Sequence, residues 1–189
     1  MVHPTIEYLI LPGWMGSGSD HWQSHWQACL PGASRLSVAS WDLPQPEDWQ
    51  AALSMHLRQL KGPVALIAHS LGCINLVNWA AQADASLLAN IRAALLVAPA
   101  DVERPDCPAA LQPFAPIQRA PLPFPALVVG STNDPAASEA RVRDLAMSWQ
   151  VPQVILSEVG HINAASGHHC WEDGWVWLDA LLAQSREVA

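Results

Sequence analysis

The chain is 189 residues long, 51% hydrophobic and only 14% charged, which suits a single domain over 1–189 with a substantial core. Nine basic residues against 17 acidic ones give a formal net charge of −8; with no Lys/Arg cluster to override it, that balance excludes nucleic acid and anionic membrane surfaces as partners. No apolar run approaches the roughly 18 residues of a membrane span, and Met1-Val2-His3-Pro4 carries no signal-peptide pattern, so a cytoplasmic protein with free thiols is expected.

Residues 6–11 read as a first strand that stops at Pro12-Gly13. A Gly/Ser/Asp loop leads into a helix over about 20–29, with Ser19 or Asp20 as its N-cap. Residues 36–39 form a weak second strand, and Pro46-Glu47-Asp48 opens a helix in which Leu53, Leu57 and Leu60 recur at helical spacing. The unbroken apolar run 64–68 suits a central parallel strand covered on both faces. A helix over about 71–82 follows it at once. Strands at 93–97, 126–129 and 154–156, and helices near 138–149 and 171–184, complete the alternation. That alternation predicts a doubly wound parallel sheet with helices on both faces, its six strands in spatial order 2-1-3-4-5-6.

One segment breaks the rhythm. Eight prolines lie between Pro99 and Pro125, and their fixed φ angles and missing N–H donors forbid a long helix or strand. The segment is expected as an ordered loop over one edge of the sheet, where larger relatives of such folds carry a lid.

The chemistry is concentrated at strand ends. Ala68-His69-Ser70-Leu71-Gly72 lies between the most apolar strand and a helix. A serine nucleophile needs such a turn, with small residues on either side so that the backbones do not collide. Ala68 departs mildly from the usual glycine. The competing role for Ser70 is a plain helix cap. Asp134, in Gly130-Ser131-Thr132-Asn133-Asp134-Pro135, and His161, in Gly160-His161, follow later strands directly. The order Ser, Asp, His is the one the α/β-hydrolase arrangement uses, and an imidazole is suited to shuttling the serine proton near neutrality. Asp101 is the rival acid. The backbone N–H groups of Trp14 and Leu71 are the expected oxyanion donors, Trp14 standing on the glycine loop Pro12-Gly13-Trp14-Met15-Gly16 and forming a pocket wall. Most of the ten tryptophans are expected as core or helix-packing residues. A zinc site at His161, His168, His169 and Cys170 is disfavoured, because adjacent histidines point apart.

Taken together, Leu11-Pro12-Gly13-Trp14, His69-Ser70-Leu71-Gly72, the Gly130–Pro135 motif and Gly160-His161-Ile162-Asn163 resemble the small serine hydrolases related to retinoblastoma-binding protein nine, also grouped with bacterial YdeN-type proteins. The resemblance covers nearly the whole chain. It implies a minimal α/β-hydrolase fold with little or no lid, Ser70 as nucleophile, Asp134 as acid and His161 as base. It also implies hydrolysis of small carboxylic esters or amides without cofactor or metal. It names neither a natural substrate nor a protein partner. The alternative is a catalytically idle binding protein on the same fold.

Overall fold

In a computed structural model, which describes residues 5–187, the chain forms one six-stranded sheet, every neighbouring pair parallel, in the order β2-β1-β3-β4-β5-β6. The strands are β1 (Glu7–Leu11), β2 (Ala33–Arg35), β3 (Val64–His69), β4 (Ile91–Val97), β5 (Ala126–Ser131) and β6 (Gln153–Leu156). The predicted order and the reversal between β1 and β3 are both present. Met1-Val2-His3-Pro4, read above for a targeting signal, lies outside the described residues.

Two-residue periodicity divides the inner strands between two cores. Leu9, Leu11, Leu66, Leu96 and Val128 face α2 (Pro46–Gln59), α3 (Leu71–Ala80) and α5 (Glu139–Ser148) through Trp49, Leu53, Ile74, Val77, Val142 and Leu145. Ile10, Ile67, Leu95, Val97 and Val129 point the other way, against α1 (Trp22–Cys29) and α6 (Glu172–Glu187) through Trp22, Trp26, Leu178 and Leu181. Each fully buried side chain of this size contributes about 1.5–3 kcal/mol. All six residues of β3 are buried, the pattern of a strand covered on both faces.

Trp22, Trp26, Trp49, Trp79 and Trp149 are fully buried and Trp171 nearly so, while Trp41, Trp175 and Trp177 pack partly buried against the two cores, so most of the ten are core or helix-packing residues, as expected. The indole N–H groups of the five fully buried ones all find acceptors, the carbonyls of Ile162, Cys170, Ser40 and Gln118 and the Ser54 hydroxyl. This satisfies the rule that a buried donor left unpaired is costly.

Several boundaries differ from expectation. The second strand is 33–35 rather than 36–39. It is an edge strand paired on one side only, so its ladder needs no apolar run. Leu36 still donates its N–H to the Ile10 carbonyl at 2.9 Å, and its buried side chain is core rather than strand. The first helix starts at Trp22, and its cap is His21 rather than Ser19 or Asp20. The His21 Nδ1 accepts the Gln23 N–H at 3.2 Å, doing what a serine or aspartate oxygen does elsewhere. α3 ends at Ala80, two residues early, and a four-residue helical turn, α4 (Ala85–Leu88), was not expected.

The proline-rich segment is ordered but does not cover a sheet edge. The edges are β2 and β6, whereas this segment joins the neighbouring inner strands β4 and β5. It therefore crosses a face. Val102, Leu111, Phe114, Ile117 and Phe124 are buried in the α2/α3/α5 core. The Asn78 amide on α3 clamps the segment, donating to the Phe114 carbonyl at 2.8 Å and accepting the Gln118 N–H at 2.9 Å.

Candidate active site

The carboxyl ends of β3, β5 and β6 bring Ser70, Asp134 and His161 together. Ser70 sits on the turn from β3 to α3 with φ 54° and ψ −121°, a conformation costing a non-glycine residue about 1–3 kcal/mol. Its N–H donates to the Val97 carbonyl at 2.9 Å, and its own carbonyl accepts from Cys73 at 3.0 Å. Backbone hydrogen bonds thus hold the turn and leave the hydroxyl free.

Crowding at this turn explains two glycines. A Cβ on Gly72 would stand 2.4 Å from the Leu11 carbonyl oxygen and 2.6 Å from that of Pro12. One on Gly13 would stand 2.8 Å from the Ser70 Cβ and 3.2 Å from the Leu71 nitrogen. The loop after β1 and the start of α3 therefore meet backbone to backbone. Ala68, by contrast, is a buried strand residue paired with Leu11 and Leu96, so its methyl group is accommodated in the sheet.

The His161 Nε2 is 2.9 Å from the Ser70 Oγ, and its Nδ1 lies 2.8 and 2.9 Å from the two carboxylate oxygens of Asp134. The Asp134 side chain is fully buried and also accepts the Ala136 N–H at 2.7 Å. A buried carboxylate facing Nδ1 fixes the proton there, which leaves the Nε2 lone pair to accept the Ser70 O–H. Asp101 is engaged elsewhere: it pairs with Arg141 at 3.2 Å and caps the Glu103 N–H.

Three residues of the Gly130–Pro135 motif, to which the sequence assigned no role of their own, join the Asp134 loop to the His161 loop. Asn133 Oδ1 accepts the Gly160 N–H at 2.7 Å, Ser131 Oγ accepts that of Val159 at 3.1 Å, and Thr132 Oγ1 accepts that of Glu158 at 2.9 Å. A run of three short polar side chains directly after an apolar strand was the signal available for them.

Leu71 is the first residue of α3, so its N–H has no intrahelical partner. Among the described residues, neither it nor the Trp14 N–H donates to a protein acceptor. The Trp14 indole is 36% exposed and donates to the Asp42 carbonyl at 2.9 Å. Exposed Met15 and Leu43 stand next to Trp14 and Asp42 in the chain, giving this part of the surface an apolar character.

A family model described as Serine hydrolase matches residues 8–180. The chain belongs to the serine hydrolase family. A YdeN-like hydrolase of Pectobacterium atrosepticum is 32% identical, with 96% of this chain and 91% of that one covered at a TM-score of 0.81. The ydeN product of Bacillus subtilis is 20% identical over 95% of this chain and 100% of that one, TM-score 0.77. Esterase 2 of Thermogutta terrifontis shares the fold at 15% identity and a TM-score of 0.67, over 96% of this chain and 83% of that one. No curated protein matches in sequence. The chain is thus a small YdeN-type serine hydrolase with a minimal α/β-hydrolase fold; the link to retinoblastoma-binding protein nine rests on the motifs alone.

In this serine hydrolase, His168 and His169 turn to separate partners, the Ser166 hydroxyl and the Asp20 carbonyl. Among the described residues no cluster of three or more His, Cys, Asp or Glu is placed to hold a metal. Cys73, three residues after Ser70, is buried, and desolvation pushes its thiol well above the usual range, so it is inert. Two surface clefts, of about 640 Å³ beside Trp171 and about 250 Å³ beside His21, do not include Ser70.

Two buried histidines stand behind the hydrolase site. Burial first, and the nearby Arg35 charge second, hold His21 down to about 4; burial and its neighbours His161 and His21 hold His69 well below its usual value. An unfolded histidine titrates near 6.5, so between about 6.5 and 4 the unfolded chain binds more protons than the folded one. The stability from these neutral rings is complete above that window and is lost as pH falls through it, at about 1.4 kcal/mol per unit and histidine. Thermal melts are expected to show Tm falling steadily from about pH 7 to pH 4.5. A flat series would contradict it.

Proposed function

We propose that this serine hydrolase cleaves small carboxylic esters or amides, with Ser70 as nucleophile, His161 as general base and acid, and Asp134 as the acid that orients His161. The observation that carries the reading is the continuous hydrogen-bonded line from Asp134 through His161 to the Ser70 hydroxyl. In this reading the Ser70 oxygen attacks the substrate carbonyl carbon while its proton passes to the His161 Nε2. The Trp14 and Leu71 N–H groups receive the resulting oxyanion, aided by the positive end of α3. The buried Asp134 carboxylate stabilises the imidazolium. His161 then gives its proton to the departing alcohol or amine, leaving an acyl group on Ser70. A water molecule, deprotonated by His161, attacks that acyl group, and the acid leaves as Ser70 regains its proton.

Short acyl chains suit the site, because the proline-rich segment is bound to α3 and, among the described residues, no lid domain encloses a long tail. A fluorophosphonate tests the reading, since its phosphoryl centre is attacked as an acyl carbon would be; the Thermogutta esterase of like fold is phosphorylated by paraoxon. The expected result is one covalent adduct by intact mass, mapped to Ser70, with hydrolysis of p-nitrophenyl acetate lost in parallel. An unmodified mass in folded protein would favour an idle binding protein instead.

A further inference from the structure

The loop that carries His161 is held in an unfavourable shape. Ile162, the next residue, has φ 47°, a left-handed conformation in which a β-branched side chain is a genuine outlier. Ile162 is nevertheless completely buried. Something outside the loop must over-determine this turn.

Two buried side chains do so. The His69 Nε2 lies 2.9 Å from the carbonyl oxygen of His161, and the Trp22 indole N–H donates to the carbonyl oxygen of Ile162 at 2.8 Å. A carbonyl can only accept, so the His69 Nε2 carries the proton and donates. The donors come from different elements: His69 ends β3 immediately before Ser70, and Trp22 opens α1. The His69 and His161 rings also pack with centroids 4.9 Å apart. The carbonyls of two consecutive residues, the base and its successor, are thus suspended from the core next to the nucleophile.

We propose that His69 and Trp22 are positioning residues, whose N–H groups hold the strained turn at Ile162 and so keep the His161 Nε2 aimed at Ser70. This rests on the reading of His161 as the base. Neither side chain touches the reacting atoms. Each acts through the His161 backbone, and misplacing a catalytic group by about 1 Å can cost on the order of 10²-fold in rate.

The test uses variants that separate donation from bulk. Trp22→Phe removes the indole N–H and keeps an aromatic ring. It is expected to lower kcat on p-nitrophenyl acetate by about 10- to 100-fold, with KM changed less than about twofold and near-UV circular dichroism retained. His69→Gln, whose amide can donate from a similar position, should keep far more activity than His69→Leu. If His69→Leu does not fold, Trp22→Phe carries the test alone. The deciding comparison is made in a His161→Ala background, by the rate of fluorophosphonate labelling at Ser70. There Trp22→Phe should cost nothing further, because the residue it positions is gone. An unchanged kcat in Trp22→Phe, or a full loss persisting without His161, would overturn the proposal while leaving the base assignment intact. Should His161→Ala itself leave turnover unchanged, the base assignment falls, and this inference with it.

Discussion

Ser70→Ala is expected to lower kcat on p-nitrophenyl acetate by about 10⁶-fold, the scale seen when a triad serine is removed. The change deletes the only atom of Ser70 that His161 contacts by hydrogen bond, while the turn is held by backbone bonds to Val97 and Cys73 that alanine keeps. The variant should therefore fold, melt near the parent temperature and fail to take up a fluorophosphonate. Turnover and melting measured on one preparation check it. A loss below about tenfold would place the nucleophile elsewhere.

The second large effect separates two aspartates. Asp134→Asn should lower kcat by about 10⁴-fold, because an amide can present N–H to Nδ1 and so favours the tautomer that puts the ring proton on Nε2. With Nε2 protonated, the imidazole has no lone pair to accept the Ser70 proton. Asp101→Asn should leave kcat within a few-fold, since its carboxylate pairs with Arg141 and caps Glu103 rather than reaching His161. Its effect falls on stability instead, because the pair with Arg141 is largely desolvated, at 14% and 18% side-chain exposure, and losing one charge leaves the other less well compensated. Parallel kinetics on the two variants decide the matter, and a reversed ranking would refute the acid assignment.

Much of this was legible beforehand because it is local. The unbroken apolar run 64–68 suited a central strand, and Gly72, two residues after Ser70, marked a turn too tight for a side chain. The positions of Asp134 and His161 directly after strands then followed from alternation. What escaped the sequence has physical causes. β2 is an edge strand whose pairing does not depend on apolarity, and α1 is capped by an imidazole nitrogen rather than an oxygen. The prolines of 99–125 exclude regular structure there, but they do not show that Val102, Leu111, Phe114, Ile117 and Phe124 are buried against the helices on one face. Least visible were contacts between distant residues, such as Trp22 with Ile162, 140 positions apart, since a sequence displays a donor but not its acceptor.

The placement of β6 has a consequence for how the site comes apart. Ser70 and His161 are 91 positions apart, and the strand that delivers His161 is the last in the chain, four residues long and paired only with β5. A short sheet margin of this kind is among the first parts to open when a structure loosens. With β6 detached, Ser70 would keep the turn between β3 and α3, whereas His161 would lose the strand that places it. On the proposed roles, activity would disappear with the fraying of the sheet margin, before the central strands separate.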